Sequence, residues 1–338
     1  MIDYRSDTVT KPGAAMLEAM FNASVGDDVF GEDPTINELE NVAAEMFGMQ
    51  ASLFCPSGTM TNQIAIKCHT QPGDEVVCDK LSHIYQYEGG GIAFNSGCSV
   101  NLIDGDRGKI SATQVVNAIN ADETYKANTS LVSLENTTNR GGGSCYDYKE
   151  IIKIKEVCQS NHLKLHLDGA RLFNALVAKK ETPKQYGEIF DSISICLSKG
   201  LGTPVGSLIL GNHQFIKKAT RIRKVLGGGM RQAGYLAAAG LYALQNNITR
   251  LNEDHINARL IANALLKKKY VEEVLEVETN IIVFSLKSTI TPVAFVEKMK
   301  SYQILMFPIS ATQVRIVLHL DITSEMITKT ILAIENAY

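Results

Sequence analysis

Lys199 stands where an alternating segment, Ser192 to Leu197, runs into Gly200 and Gly202. Small polar and apolar residues alternate there with the period of a half-buried strand, and the glycines end it. A lysine at a strand end has a plain reading as a solvated loop residue. Its sharper reading is an amine held in a partly dry site, where a lowered pKa lets it attack a carbonyl and form a Schiff base. Gly200 and Gly202 would then let backbone approach a ligand, and Thr203 to Leu210 resumes as a second strand.

The partners such an amine needs are present. Pyridoxal 5'-phosphate calls for an amine to hold it, a carboxylate against its pyridine nitrogen and a cradle for its phosphate. Lys199 can supply the first and Asp168 the second, keeping the nitrogen protonated and the ring an electron sink. Ser57, Gly58 and Thr59 lead into a helix and can supply the third, each hydrogen bond to a charged group being worth roughly 1.5–3 kcal/mol. An amino-acid substrate adds a carboxylate, for which Arg171 and Arg315 offer bidentate forks. His83 can stack on a ring or move a proton near neutral pH. Each group also has a plainer reading, as a capped turn, a structural histidine or a surface arginine.

The elements that must position these groups follow from pattern. Asp33-Pro34 is a helix start, and Ile36, Leu39, Val42, Ala43, Met46 and Phe47 give a helical stripe up to Gly48. Short strands are predicted at 51–55, 75–78, 130–134, 163–167 and 192–197, with a helix from Met60 to about His69. Ser111-x-x-Gln114 and Asp147-x-x-Glu150 read as capping boxes opening two more helices. Strands alternating with helices predict an α/β fold with a mostly parallel central sheet, in which ligands collect beyond the carboxyl ends of strands. Ser57-Gly58-Thr59, His83, Glu135, Asp168 to Arg171 and Lys199 all fall at such ends.

Downstream, Arg221-Ile222-Arg223-Lys224 and Gly227-Gly228-Gly229 read as a loop moulded to an anion. A long helix from about Leu251 leads to a second unit with strands at 281–286 and 314–320, where Arg315 faces solvent or an interdomain cleft. The expected organisation is an N-terminal arm over 1–20 reaching the site with Ser6 or Thr8, a large cofactor-binding domain over 21–250, and a small C-terminal α/β domain over 251–338.

Composition excludes several classes. With 45% hydrophobic and 20% charged residues the chain is an ordinary globular protein, and a net charge of −3 gives nucleic acid no basic surface to read. Seven scattered cysteines, none in a CxxC pair, argue against a disulfide framework and a zinc site. No window approaches the ~20 apolar residues of a membrane span, and no signal-peptide core is seen, so the expected compartment is the cytoplasm.

Taken together, RSDTVT, GDDVFGEDP, SGTMTNQ, SHIYQYEGG, SLENTTN, HLDGAR, SKGLGTPVGS and GGGMRQAG resemble low-specificity L-threonine aldolases, which are fold-type I pyridoxal-phosphate enzymes. The motifs run in order from about Ile2 to Leu244, and Arg315 also finds a counterpart. The resemblance implies a transferase-like α/β fold with helices on both faces of the sheet, Lys199 carrying the cofactor as an imine, Asp168 on its pyridinium and His83 over its ring. It implies Ser6, Arg171 and Arg315 on the substrate carboxylate, and a tetramer built from dimers in which Arg231 reaches a neighbour's phosphate. The implied reaction is aldol cleavage of L-threonine, L-allo-threonine and similar β-hydroxy-α-amino acids to glycine and an aldehyde. Alternatives are a phenylserine-type aldolase or another fold-type I lyase, and a non-catalytic protein that keeps the fold for binding. One departure is Thr138, which stands where many members have histidine, near the substrate hydroxyl. It leaves His83 or a bound water to take the β-hydroxyl proton.

Overall fold

The computed structural model describes all residues 1–338. Thirteen strands occur in chain order: β1 (Ile2–Asp3), β2 (Ala51–Cys55), β3 (Glu75–Asp79), β4 (Ser99–Ile103), β5 (Thr129–Glu135), β6 (Lys164–Gly169), β7 (Ser192–Cys196), β8 (Ser207–Gly211), β9 (Val271–Val274), β10 (Ile281–Leu286), β11 (Ile304–Leu305), β12 (Phe307–Pro308) and β13 (Gln313–Val317). A seven-stranded sheet has the order β2-β8-β7-β6-β5-β3-β4. β8 is antiparallel to both its neighbours, whereas β7, β6, β5, β3 and β4 pair in parallel, so six strands deliver their carboxyl ends to one edge. Register brings Glu135 beside Asp168 and Asp168 beside Ser194 along that edge.

The main core lies against this sheet, with Phe54, Val132, Leu167 and Ile193 among its buried side chains. The predicted helix at 34–47 forms as expected: Asp33 accepts the Thr35 and Ile36 N–H groups, Pro34 opens it, and Gly48 closes it at φ +63°. A second core gathers on the antiparallel sheet β12-β13-β10-β9, with Phe284, Phe295 and Ile316 among its residues. Ile2 and Tyr4 belong to it: β1 pairs in parallel with β11, and the Tyr4 hydroxyl meets Thr330 Oγ1 at 2.8 Å.

The first residues are therefore anchored on the C-terminal unit, and Ala14–Phe21 forms a helix against Gly234–Asn246. Two readings of local pattern change. The Ser111 capping box forms, but Glu150 turns away from Asp147 and accepts the Ala112 N–H at 2.8 Å, so the second box is absent. The glycines after Lys199 answer to packing: a Cβ on Gly200 would meet Leu251 at 3.0 Å, and Gly202 takes φ +79° against Leu320. All seven cysteines are free, and no helix is long and apolar enough to cross a membrane.

Candidate active site

β2, β3, β6 and β7, with the segments that follow them, contribute to one cavity of about 120 Å³, walled by Gly58, Thr59, Asn62, His83, Asp168, Ala170, Cys196, Ser198 and Lys199. After β2, Ser57 accepts the Met60 N–H at 3.2 Å and caps the helix Gly58–His69. The first-turn N–H groups of Gly58 and Thr59 have no carbonyl within the helix to bond, and they sit at the positive end of its dipole. A Cβ on Gly58 would run into the Cys196 sulfur and lie 3.4 Å from the Ser207 hydroxyl, which is buried with no partner of its own. Room for backbone alone, unpaired donors and an orphaned hydroxyl together make a cradle suited to phosphate.

Asp168 ends β6, buried, accepting from Asn62 Nδ2 at 2.9 Å and from the Ala170 N–H at 3.1 Å. Lys199 follows β7 on the same wall. His83 opens a short helix after β3; its backbone N–H goes to Glu135 at 2.7 Å and its Nδ1 to Glu88 at 2.9 Å. Burial opposes charge on the His83 ring, but the Glu88 hydrogen bond and the Asp168 charge outweigh it, and the pKa is raised above the ordinary value. Burial and then the Asp168 charge push Glu135 up to about 7. The nearest atoms of His83, Glu88 and Asp168 lie within 4.8 Å of one another.

The arginines are arranged differently from the sequence reading. Arg171 is buried, donating from Nε and Nη2 to the two oxygens of Asp7, both at 2.7 Å. Burial raises the Asp7 pKa, but Arg171 above all, with Lys199 and Arg315, holds it below the usual range. Arg315 donates to Asn139 at 2.8 Å and to the Arg5 carbonyl at 3.2 Å, and its buried Nε is unpartnered. Burial, then Arg171, lowers Arg315 to about 10. Ser6 caps the turn Asp7–Val9. Arg231 pairs with Asp27 at 2.8 Å and lies over the Phe30 ring, away from the cavity wall.

Thr138 stands apart. Its side chain is 2% exposed, with its hydroxyl 2.9 Å from the Arg107 carbonyl and 2.8 Å from Ser144 Oγ, and it does not line the cavity. The expectation that it lies near a substrate hydroxyl finds no support in this packing. Asp7, Asn62 and Glu88 are the site-building residues that pattern did not single out. All three fall inside motifs already quoted, RSDTVT, SGTMTNQ and SHIYQYEGG, but no local spacing gave them partners.

The sequence profile of the beta-eliminating lyases matches residues 3–288. A low specificity L-threonine aldolase of Escherichia coli strain K12 is 44% identical over 331 residues, covering 97% of each chain. A low-specificity L-threonine aldolase of Arabidopsis thaliana is 40% identical, covering 99% of this chain and 96% of its own. The chain belongs to the beta-eliminating lyase family. Members of this family use pyridoxal 5'-phosphate, and the wall residues fit that group: an amine, a carboxylate and a phosphate cradle share one cavity. The fold of this beta-eliminating lyase is also that of a solved threonine aldolase from Leishmania major, with a TM-score of 0.86 over 99% of both chains at 20% identity.

Proposed function

We propose that the chain is a carbon–carbon lyase that cleaves L-threonine, L-allo-threonine and related β-hydroxy-α-amino acids to glycine and an aldehyde. The observation that carries this reading is the convergence of Lys199, Asp168 and His83 on one cavity beside two arginines. The names of the relatives support the same substrate class.

Pyridoxal phosphate, when bound, takes up the electron pair released as Cα–Cβ breaks. Lys199 would hold it, Asp168 would face its ring nitrogen, and the N–H groups of Gly58 and Thr59, with Ser57 as cap, would hold its phosphate. Arg171 gives Nε and Nη2 to Asp7, which leaves Nη1 for a substrate carboxylate. Arg315, with its unpartnered Nε, would be the second clamp, and Ser6 sits one residue from Asp7 to complete it. As the β-carbon becomes a carbonyl its hydroxyl proton must leave, and the glycine Cα must gain one. His83 at the cavity wall, or a bound water, would take the first proton.

The proposal extends to organisation. The large unit over 21–250 would carry the cofactor and 251–338 the second layer. Two dimers would form a tetramer in which Arg231, half exposed, reaches a neighbour's phosphate. Seven free thiols suit a reducing, cytoplasmic setting.

Purified protein supplied with cofactor should release glycine and acetaldehyde in equal amounts from L-threonine and L-allo-threonine, followed with an aldehyde reductase. Release of neither product from either isomer would overturn the reading.

A further inference from the structure

Glu88 is buried, does not line the cavity, and sits at the centre of a hydrogen-bond network whose polarity can be read from its far ends. Asn62 Oδ1 faces the Ser194 hydroxyl and His166 Nε2, so its amide nitrogen is turned toward Glu88 Oε1 at 2.8 Å and Asp168 Oδ2 at 2.9 Å. Gln63 Oε1 accepts from Asn95 at 2.9 Å, so its nitrogen is turned toward Glu88 Oε2 at 2.6 Å. Both amides thus present donors, and both Glu88 oxygens accept. His83 Nδ1, 2.9 Å from Oε1, faces the same carboxylate, which has lone pairs but no proton to give. It must be the donor.

We propose that Glu88 is the positioning residue of His83: by accepting the Nδ1 proton it fixes the ring and leaves Nε2 as the one nitrogen able to exchange a proton with the substrate. The inference rests on the lyase reading above and adds to it a residue that touches neither cofactor nor substrate. A carboxylate behind a histidine holds it in the tautomer a general base needs and favours its charged form. The other groups facing His83 are Asp168 from β6 and Glu135 from β5, which favour its charge, Lys199 from beyond β7, which opposes it, and the Tyr87 ring, 5.7 Å away. Among the carboxylates, Glu88 is the one bonded to the ring itself.

Two measurements test this. In the full chain labelled with 15N-histidine, with His83→Gln to assign the signal, neutral His83 should carry its proton on Nδ1, and Nε2 should titrate above the ordinary histidine range. A proton on Nε2 would overturn the proposal whether or not any variant folds. The rise of kcat/KM with pH should track that titration, and in Glu88→Gln it should move about one pH unit lower, as expected for removing a charge in contact, with Glu88→Asp restoring most of the shift. An unmoved limb in a folded Glu88→Gln protein would reduce Glu88 to a packing role and overturn the proposal. Absence of threonine cleavage in the unmodified protein would instead contradict the lyase reading, leaving the nitrogen spectrum to decide on Glu88.

Discussion

Asp7 and Arg171, 164 residues apart, form a two-point ion pair with both side chains closed to solvent and both contacts at 2.7 Å. The pair ties the first turn of the chain to Arg171, two residues past the end of β6, and so holds the N-terminal segment against the carboxyl edge of the sheet. Asn280 Nδ2 approaches the same carboxylate at 3.5 Å, bringing in the C-terminal sheet. Removing one member leaves the other charge buried and unpaired, which costs about 3–5 kcal/mol. Asp7→Asn is therefore expected to lower the urea midpoint of the protein sharply and to raise KM for the amino acid, as Arg171 loses its fixed aim. Unchanged stability and KM would show that the pair is dispensable.

As the pH drops from 7 to 5, two buried rings should each draw stability away. His69 and His166 are joined through the Ser192 hydroxyl, 2.8 Å from each ring, and burial lowers them to about 3 and about 4 respectively. Their pKa values are depressed in the folded state, so the unfolded chain binds more protons below about 6.5, and stability drains away as pH falls. Each ring contributes about 2 kcal/mol of loss by pH 5. His83, Glu135 and Glu40 work in the opposite direction: burial pushes both carboxyls up to about 7, and a raised folded pKa gives stability at low pH that is lost as pH rises through it. Urea titrations of the protein and of His69→Gln at the two pH values check this: the variant should lose less stability between pH 7 and 5, and an identical pH dependence would mean that the His69 ring carries no such penalty.

Thr138 is packed as a structural residue, between the Arg107 carbonyl and Ser144. Thr138→Val removes a hydroxyl and strands its partners, an expected loss of about 1 kcal/mol. The ratio of L-threonine to L-allo-threonine cleavage should stay the same. A changed ratio with unchanged stability would return Thr138 to the substrate's side.

Much of the site is legible in sequence because it sits at strand ends, where a period-two pattern stops at a polar residue: β6 ends in Asp168-Gly169, and Lys199 follows β7 by three residues. Long-range hydrogen bonding is not legible in that way. Asn62 meets Glu88 across 26 positions and Asp168 across 106, and no local spacing encodes either contact. β4 escapes the pattern because it is an edge strand on which Ser99 and Leu102 are exposed and Ile103 alone is buried. Asp147-x-x-Glu150 has capping-box spacing, yet Glu150 finds a better use holding the neighbouring helix at Ala112. A motif fixes which bonds are available; the fold decides which are made.

The central claim is that Lys199 carries the cofactor at the wall it shares with Asp168 and His83. Borohydride reduction of the cofactor-loaded protein makes such a linkage permanent, and peptide mass mapping then locates it. The account predicts one pyridoxyl-phosphate adduct per chain, on the peptide containing Lys199, and none in Lys199→Ala. An adduct on another lysine, or a reduced protein with no adduct and full activity, would contradict it.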